Sequence, residues 1–285
     1  MTGEARREEL VALLVTARPE LHRYASRMLG SSFDGEDVVQ DMAERALRAI
    51  AELDLHTPLK PWLLRIVHNR VIDLARAKAT RASAPFEYDA PPETPEEALE
   101  RAEVVSLALS RFARLPVAQR SVLILKDVLE LSLDEICGTL DLSLAAAKAH
   151  LHRARRAIRA LSAPPEVDKA QPDPETARYA ELFNLRDWRG LTALLAQEVR
   201  VVQHARATLV GREQVARTFF AIYSRINDCR LVPARAEGRD ALAAIDRETG
   251  ELIYVTRIEW RGGEVVEVHD YRHARYVLDG LDIAF

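Results

Sequence analysis

Apolar residues recur every three to four positions through most of residues 1–163, whereas beyond residue 195 several segments switch to strict alternation. The first period belongs to helices with one buried face and the second to half-buried strands. Val39, Met42, Ala46 and Ile50 keep the helical spacing, and the run after Pro61 keeps it more tightly. On a wheel at about 100° per residue, Leu63, Val67, Val71 and Leu74 share one face, leaving Trp62, Arg65, Asn69, Asp73 and Arg76 on the other. His68 lies off that polar stripe and reads as structural.

A second helical segment carries local punctuation. Ser132 and Glu135 have the spacing of a capping box, Asp141-Leu142-Ser143 reads as a turn, and Ser143 is placed to cap the next helix. Two short helices joined this way have the form of a helix-turn-helix. In its second helix Ala147, Leu151, Ala154, Ile158 and Leu161 form the buried stripe. Ala145, Lys148, Ala149, His152, Arg153, Arg156 and Arg159 are left toward solvent.

Two proline-rich stretches divide the chain, one acidic at 83–99 and one at 164–173. Aromatic usage changes at the second: six aromatic residues precede position 174 and eleven follow it, so a different kind of core begins there. The predicted organisation is a helical domain at 1–82, an acidic linker at 83–99, a helix-turn-helix domain at 100–163, a proline-rich linker at 164–173 and an α+β domain at 174–285. In the last, helices at ETARYAELFNLRDWRGLTALLA and REQVARTFFAIYSR accompany a mostly antiparallel sheet. Leu252, Tyr254, Thr256, Ile258 and Trp260 are expected on one face of a strand there.

The length of 285 residues suits two or three modest domains. The chain has no apolar run long enough to span a bilayer and a charged N-terminus, which points to the cytoplasm. Cys137 and Cys229 fall in different segments and are expected to be reduced, with neither a disulfide framework nor a metal cluster. The formal charge of −4 speaks against binding nucleic acid only on average. Residues 60–81 hold six basic side chains against Asp73, and 142–163 hold five against no acid; 34–54 and 87–103 each hold seven acids. Charge is segregated by segment, and the two basic islands are helical.

The blocks SFDGEDVVQDMAERALRAI, PWLLRIVHNRVIDLARAK and LPVAQRSVLILKDVLELSLDEICGTLDLSLAAAKAHLHRARRAI, in that order, resemble a bacterial RNA polymerase sigma factor of the extracytoplasmic-function group. The resemblance covers about residues 8–161. It implies two all-α sigma domains, the second containing the helix-turn-helix. It also implies that Asp37, Gln40, Asp41 and Arg45 dock on core RNA polymerase. Trp62, Arg65, Asn69 and Arg76 would capture the melted minus-ten strand of promoter DNA, with Asn69 near the extruded base, although Trp62 also suits a half-buried packing position. In the recognition helix the family pattern is a Gly-Thr-Val-Lys-Ser-Arg-like run, and here the residues are Ala145-Ala146-Ala147-Lys148-Ala149-His150. Only the lysine is kept, so Lys148, His152, Arg153 and Arg156 are expected chiefly to position phosphates near the minus-thirty-five element.

The C-terminal piece resembles the SnoaL-like cone appended to some sigma factors, which implies regulation either within the chain or alongside an anti-sigma factor. It lacks the glycine-rich DGGGK-type motif of such extensions. His204, Tyr254, His269, Asp270 and Tyr271 are its candidate polar groups. Adjacent positions on a strand point to opposite faces, so His269 and Asp270 cannot line one cavity together, and neither an enzyme activity nor a cofactor is expected. Two alternatives stay open: a helix-turn-helix regulator that does not bind polymerase, and a SnoaL-type enzyme in the last domain.

Overall fold

The computed structural model describes residues 3–81, 108–161 and 173–285, and the chain divides into two compact units, Met1–Pro165 and Glu166–Phe285. The 83–99 linker, residues 164–172 and the side chain of Arg76 lie outside the described residues.

In the first unit α1 (Gly3–Leu29) packs along α2 (Ser32–Ala49), and α3 (Leu59–Arg81) lies across both. Ser31 starts α2 by accepting the Asp34 amide at 3.1 Å. The apolar stripes read from the sequence meet here: Val39, Met42, Ala46 and Ile50 with Leu63, Val67 and Val71, against Leu10, Leu21 and Met28 of α1. Leu74 is half-buried at the edge.

Among the described residues four further helices follow in this unit: α4 (Leu109–Ala113), α5 (Val117–Leu123), α6 (Leu133–Leu140) and α7 (Leu144–Ala160). A π-helical turn at Ile124–Val128 follows α5 and brings Asp127 inward. Phe112, Val122, Ile124, Ile136, Leu151 and Ile158 join the same hydrophobic core as α1–α3, so both helical segments bury their faces against one another.

The second unit opens with α8 (Pro174–Asn184) and α9 (Trp188–Leu194). The sequence reads this stretch as helical throughout. It breaks because Arg186 adopts a left-handed conformation, φ 61°, and Asp187 caps a new helix by accepting the Gly190 amide at 2.8 Å. Next come β1 (Leu195–Gln203), β2 (Ala207–Val210) and a helical stretch of α10 (Arg212–Val215), a π-helical turn Ala216–Phe220 and α11 (Ala221–Arg225). The remaining strands are β3 (Cys229–Ala236), β4 (Arg239–Asp246), β5 (Leu252–Arg261), β6 (Glu264–Asp270) and β7 (Ile283–Ala284).

All seven strands form one sheet in the order β2-β1-β6-β5-β4-β3-β7, antiparallel except where β1 runs parallel to β6. Helices followed by a mostly antiparallel sheet are the α+β architecture expected of a SnoaL-like cone. One face of the sheet buries Val199, Val201, Tyr254, Ile258 and Val268 against Tyr179, Phe183, Phe219 and Tyr223.

Leu252 departs from the expected face. The β4–β5 register shifts between Ala244 opposite Tyr254 and Ile245 opposite Leu252, which leaves Ile253 as an extra residue. A one-residue bulge reverses the alternation. Leu252 therefore packs with Ala243 and Ile245 on the other side, while Tyr254, Ile258 and Trp260 stay with the aromatic core.

Candidate nucleic-acid interface

The acidic side of α2 is already knitted into ion pairs. Asp37 is exposed, and Gln40 accepts from Arg18 Nη2 at 2.8 Å. The same guanidinium pairs with the buried Glu36 at 2.6 Å. Asp41 lies between Arg45, whose Nε is 3.0 Å from Oδ1, and Arg70, whose Nε is 3.0 Å from Oδ2. Asp34, Asp37, Asp41 and Arg70 border a shallow groove of about 290 Å³ floored by Val38 and Leu74. The two Asp41 pairs are half-exposed and worth only about 0–1 kcal/mol each, so a cationic partner could replace them at little cost.

On α3, Arg65 and Asn69 are exposed on the polar stripe, whereas Trp62 is half-buried and packs on the core. Arg65 Nη2 donates to the Gly138 carbonyl in α6 at 3.0 Å. The helix is held from behind by His68, whose Nδ1 lies 2.7 Å from the Tyr24 hydroxyl. Burial lowers the His68 pKa from 6.5 to about 4 and raises that of Tyr24. Neutral His68 accepts a hydrogen bond from the Tyr24 hydroxyl, which orients the ring. The sequence places His68 as structural, but it gives no sign of Tyr24, 44 positions away.

This pair makes stability pH-dependent. A histidine whose folded pKa is depressed contributes stability that is full above about 6.5 and is lost as pH falls toward about 4. Acidification from pH 7.5 to 5 should therefore cost up to about 2 kcal/mol through this group. Urea titrations of the wild type and His68→Gln at both pH values check this; equal pH sensitivity in the two proteins would show that the histidine is not responsible.

The helix-turn-helix forms as its caps dictate. Ser132 Oγ accepts the Glu135 amide at 3.2 Å while Glu135 Oε2 accepts the Ser132 amide at 2.8 Å. Ser132 Oγ also donates to Glu135 Oε2 at 2.7 Å, and this bond together with the Ser132 amide holds the Glu135 carboxyl below its usual range. Asp141 takes the left-handed turn position, φ 54°, and Ser143 Oγ accepts the Ala146 amide at 3.2 Å. On α7 Ala147, Leu151, Ala154 and Ile158 are buried, while Lys148, His152 and Arg153 are exposed and Arg156 is half-exposed. Arg155 turns inward: its Nε and Nη2 grip Asp127 at 2.9 and 2.6 Å, an anchor that fixes the recognition helix to the π-helical turn.

The polar groups of the second unit separate into two sets. Asp270 is fully buried on the aromatic side, where Tyr223 donates to it at 3.0 Å and Tyr254 donates to Tyr223 at 3.3 Å. Burial raises the Asp270 pKa. Arg272 closes the cluster, its guanidinium over the rings of Tyr223 and Tyr254 and paired with Asp228. His269, on the opposite face, stands 3.1 Å from His204, and the His204 ring stacks on Tyr271 at 4.2 Å. Burial, reinforced by Arg257, lowers the His269 pKa to about 3. The five polar groups named from the sequence thus fall into two clusters, Tyr254 with Asp270 and His204 with His269 and Tyr271; Tyr223, Arg272 and Asp228 belong to the first without a recognisable motif. Glu259 and Glu267 also approach His269, but Arg257 and Arg200 pair with these carboxylates, leaving little negative charge for a cation.

Family models match two parts of the chain: Sigma-70 region 2 over residues 13–81 and Sigma-70 region 4 over residues 107–158. The chain is 29% identical over 154 residues to the ECF RNA polymerase sigma factor SigW of Bacillus subtilis, an alignment covering 50% of this chain and 82% of SigW. It is 30% identical over 136 residues to SigM of Mycobacterium tuberculosis, covering 48% of this chain and 68% of SigM. The probable ECF sigma factor SigI of the same species aligns over 257 residues at 26% identity, covering 86% and 87% of the two chains. Among solved structures, the M. tuberculosis extracytoplasmic function sigma factor SigJ is 20% identical and covers 91% of this chain and 95% of its own, with a TM-score of 0.37.

Proposed function

Since this chain belongs to the extracytoplasmic-function RNA polymerase sigma factors, we propose that it binds core RNA polymerase and directs promoter recognition and melting. The observation that carries this reading is the pair of cationic, solvent-facing helix surfaces, Arg65 with Asn69 on α3 and Lys148, His152 and Arg153 on α7. Each is backed by an apolar face that fixes its direction.

Asp37, Gln40, Asp41 and Arg45 meet the polymerase, where complementary charge speeds and orients association. Trp62, Arg65, Asn69 and Arg76 hold the melted minus-ten strand by stacking, edge contact and phosphate pairing. Lys148, His152, Arg153 and Arg156 grip duplex phosphates at the minus-thirty-five element. The organisation is that of a region 2 domain at 1–82 and a region 4 domain at 100–163, joined by the 83–99 tether, with a SnoaL-like domain at 174–285 after the 164–173 linker. That last domain regulates rather than catalyses, a reading supported by the opposed directions of His269 and Asp270 and by the mutual hydrogen bonding of Tyr223, Tyr254 and Asp270. The place of work is the cytoplasm, with the chromosome; no described helix is long and apolar enough to cross a membrane.

The direct test is comigration of the full chain with purified core polymerase on a sizing column. A chain that stays in its own peak at micromolar concentrations is not a sigma factor in function. For the second basic helix, Arg153→Ala or Arg156→Ala should weaken promoter binding across sequences and reduce the salt slope by about one. An unchanged slope in salt-titrated binding would remove these side chains from the phosphate contacts.

A further inference from the structure

We propose that Asp127 is a positioning residue for the minus-thirty-five contact: by turning Arg155 inward it fixes the recognition helix α7 on its support and keeps one of that helix's five basic side chains off the DNA backbone. This rests on the proposed function and adds to it what makes the second basic helix discriminate between sequences rather than hold any duplex.

α7 carries Lys148, Arg153, Arg155, Arg156 and Arg159 and no acid. At about 100° per residue, Arg155 falls on the border between the buried stripe and the exposed face, within about 60° of Lys148, His152 and Arg159. Helical period alone leaves it free to turn to either side. The structure turns it inward. Its Nε donates to Asp127 Oδ2 at 2.9 Å and its Nη2 to Oδ1 at 2.6 Å, so one edge of the guanidinium meets both carboxylate oxygens. The Arg155 side chain is 34% exposed and that of Asp127 only 4%, so the anion is the buried member and does not itself reach DNA.

The carboxylate lies there because the backbone departs from an α-helix. After α5 the Leu129 amide closes on the Ile124 carbonyl at 2.9 Å, a bond across five residues that widens the turn by one. The Leu131 amide then reaches the Leu125 carbonyl at 3.0 Å by way of Glu130, whose φ is 65°. Ile124, Leu125 and Val128 of this turn are buried along with Asp127. A carboxylate in such a setting is costly unless a hydrogen-bonding cation meets it, and an apolar pair of similar volume is often no less stable. The pair therefore calls for a role besides stability.

The chemistry of DNA binding supplies that role. Phosphate contacts are the same for every sequence, and each adds about 0.9 to the slope of log affinity against log salt. An Arg155 released to swing outward joins Lys148 and Arg159 and tightens binding to any duplex alike. What selects a start site is the ratio of specific to non-specific affinity. Base edges are met by the N-terminal residues of a recognition helix, whose reach depends on the angle at which its support holds it. Asp127 serves both needs, since it withdraws a sequence-blind contact and ties α7 to the turn behind it.

The experiment titrates salt against holoenzyme, the full chain assembled with core polymerase, on a promoter found by run-off transcription and on the same duplex with its upstream element scrambled. Asp127→Ala should raise the slope on the scrambled duplex by about one and lower the ratio of promoter to scrambled affinity about 5-fold or more. Adding Arg155→Met to that variant should return the slope to the wild-type value. An unchanged slope or an unchanged ratio in Asp127→Ala, from a holoenzyme that still starts at its promoter, overturns this inference and spares the sigma-factor reading. Should Asp127→Ala unfold, the apolar pair Asp127→Leu with Arg155→Leu fills the site without a buried charge. Its slope should equal that of the wild type, and a slope lower by about one would show that Arg155 already holds a phosphate and is not withdrawn. A chain that does not assemble with polymerase overturns the sigma-factor reading, and this inference falls with it.

Discussion

Replacing Arg120 by alanine is expected to lower the stability of the first unit by about 3 kcal/mol or more. Its guanidinium is the donor to three carbonyls drawn from α1, α4 and the turn before α5. Leaving a buried acceptor unsatisfied costs about 1–3 kcal/mol, and here two buried carbonyls and the part-buried one of Ala113 are left at once. Burial also opposes the charge, lowering the Arg120 pKa to about 10, yet at neutral pH the side chain stays a cation that the carbonyls compensate. Lysine should rescue only in part, because one ammonium cannot match the planar fork of donors. Urea unfolding monitored by circular dichroism measures both variants. A loss below about 1 kcal/mol for Arg120→Ala would mean that the three carbonyls find water or other donors.

Asn69→Ala is expected to slow open-complex formation about 5- to 150-fold, the equivalent of about 1–3 kcal/mol, while leaving affinity for closed promoter duplex unchanged. Asn69 is exposed on α3, on the same stripe as Arg65. Its removal should therefore cost the fold no more than about 0.5 kcal/mol, so a loss of activity can be assigned to the strand rather than to folding. An amide that reads the edge of an extruded base acts only after the duplex has opened, which is why the effect should appear in melting and not in initial binding. Permanganate reactivity of unpaired thymines at the start site reports melting directly. Wild-type reactivity and rate in the variant would take Asn69 out of strand capture and leave the cations of α3 as general phosphate contacts.

The features legible in the sequence are those set by short-range chemistry. The Ser132–Glu135 box, the turn at Asp141 and the Ser143 cap each depend on residues three or four apart, and all three form as read. The apolar stripes of α2, α3 and α7 follow from helical period alone and fall on buried positions, except at their ends, where Leu74 and Leu161 are half-buried. Alternation served less well in β5, because a bulge at Ile253 shifts Leu252 to the other face and no single residue there announces it. The helix break at Arg186 and Asp187 was similarly hidden, since both flanking segments keep helical spacing and the left-handed residue is an arginine rather than a glycine.

Long-range partners were beyond reach. Arg120 meets Met28 across 92 positions and Tyr24 meets His68 across 44, and neither pairing leaves a local pattern. The polar cluster of the second unit shows the same limit. Tyr223, Tyr254, Asp270 and Arg272 come from a helix, two strands and a loop, and the sheet register rather than any motif assembles them. The parallel pairing of β1 with β6 also requires a connection that crosses most of the unit, which alternation in either strand could not reveal.

Run-off transcription with purified core polymerase on a genomic library from the organism of origin addresses the central assignment most directly. With the chain present, transcripts should begin at discrete sites that share two upstream sequence elements, and these starts should vanish when the chain is omitted. An identical set of starts with and without it, from a polymerase shown to respond to another sigma factor, would contradict the assignment.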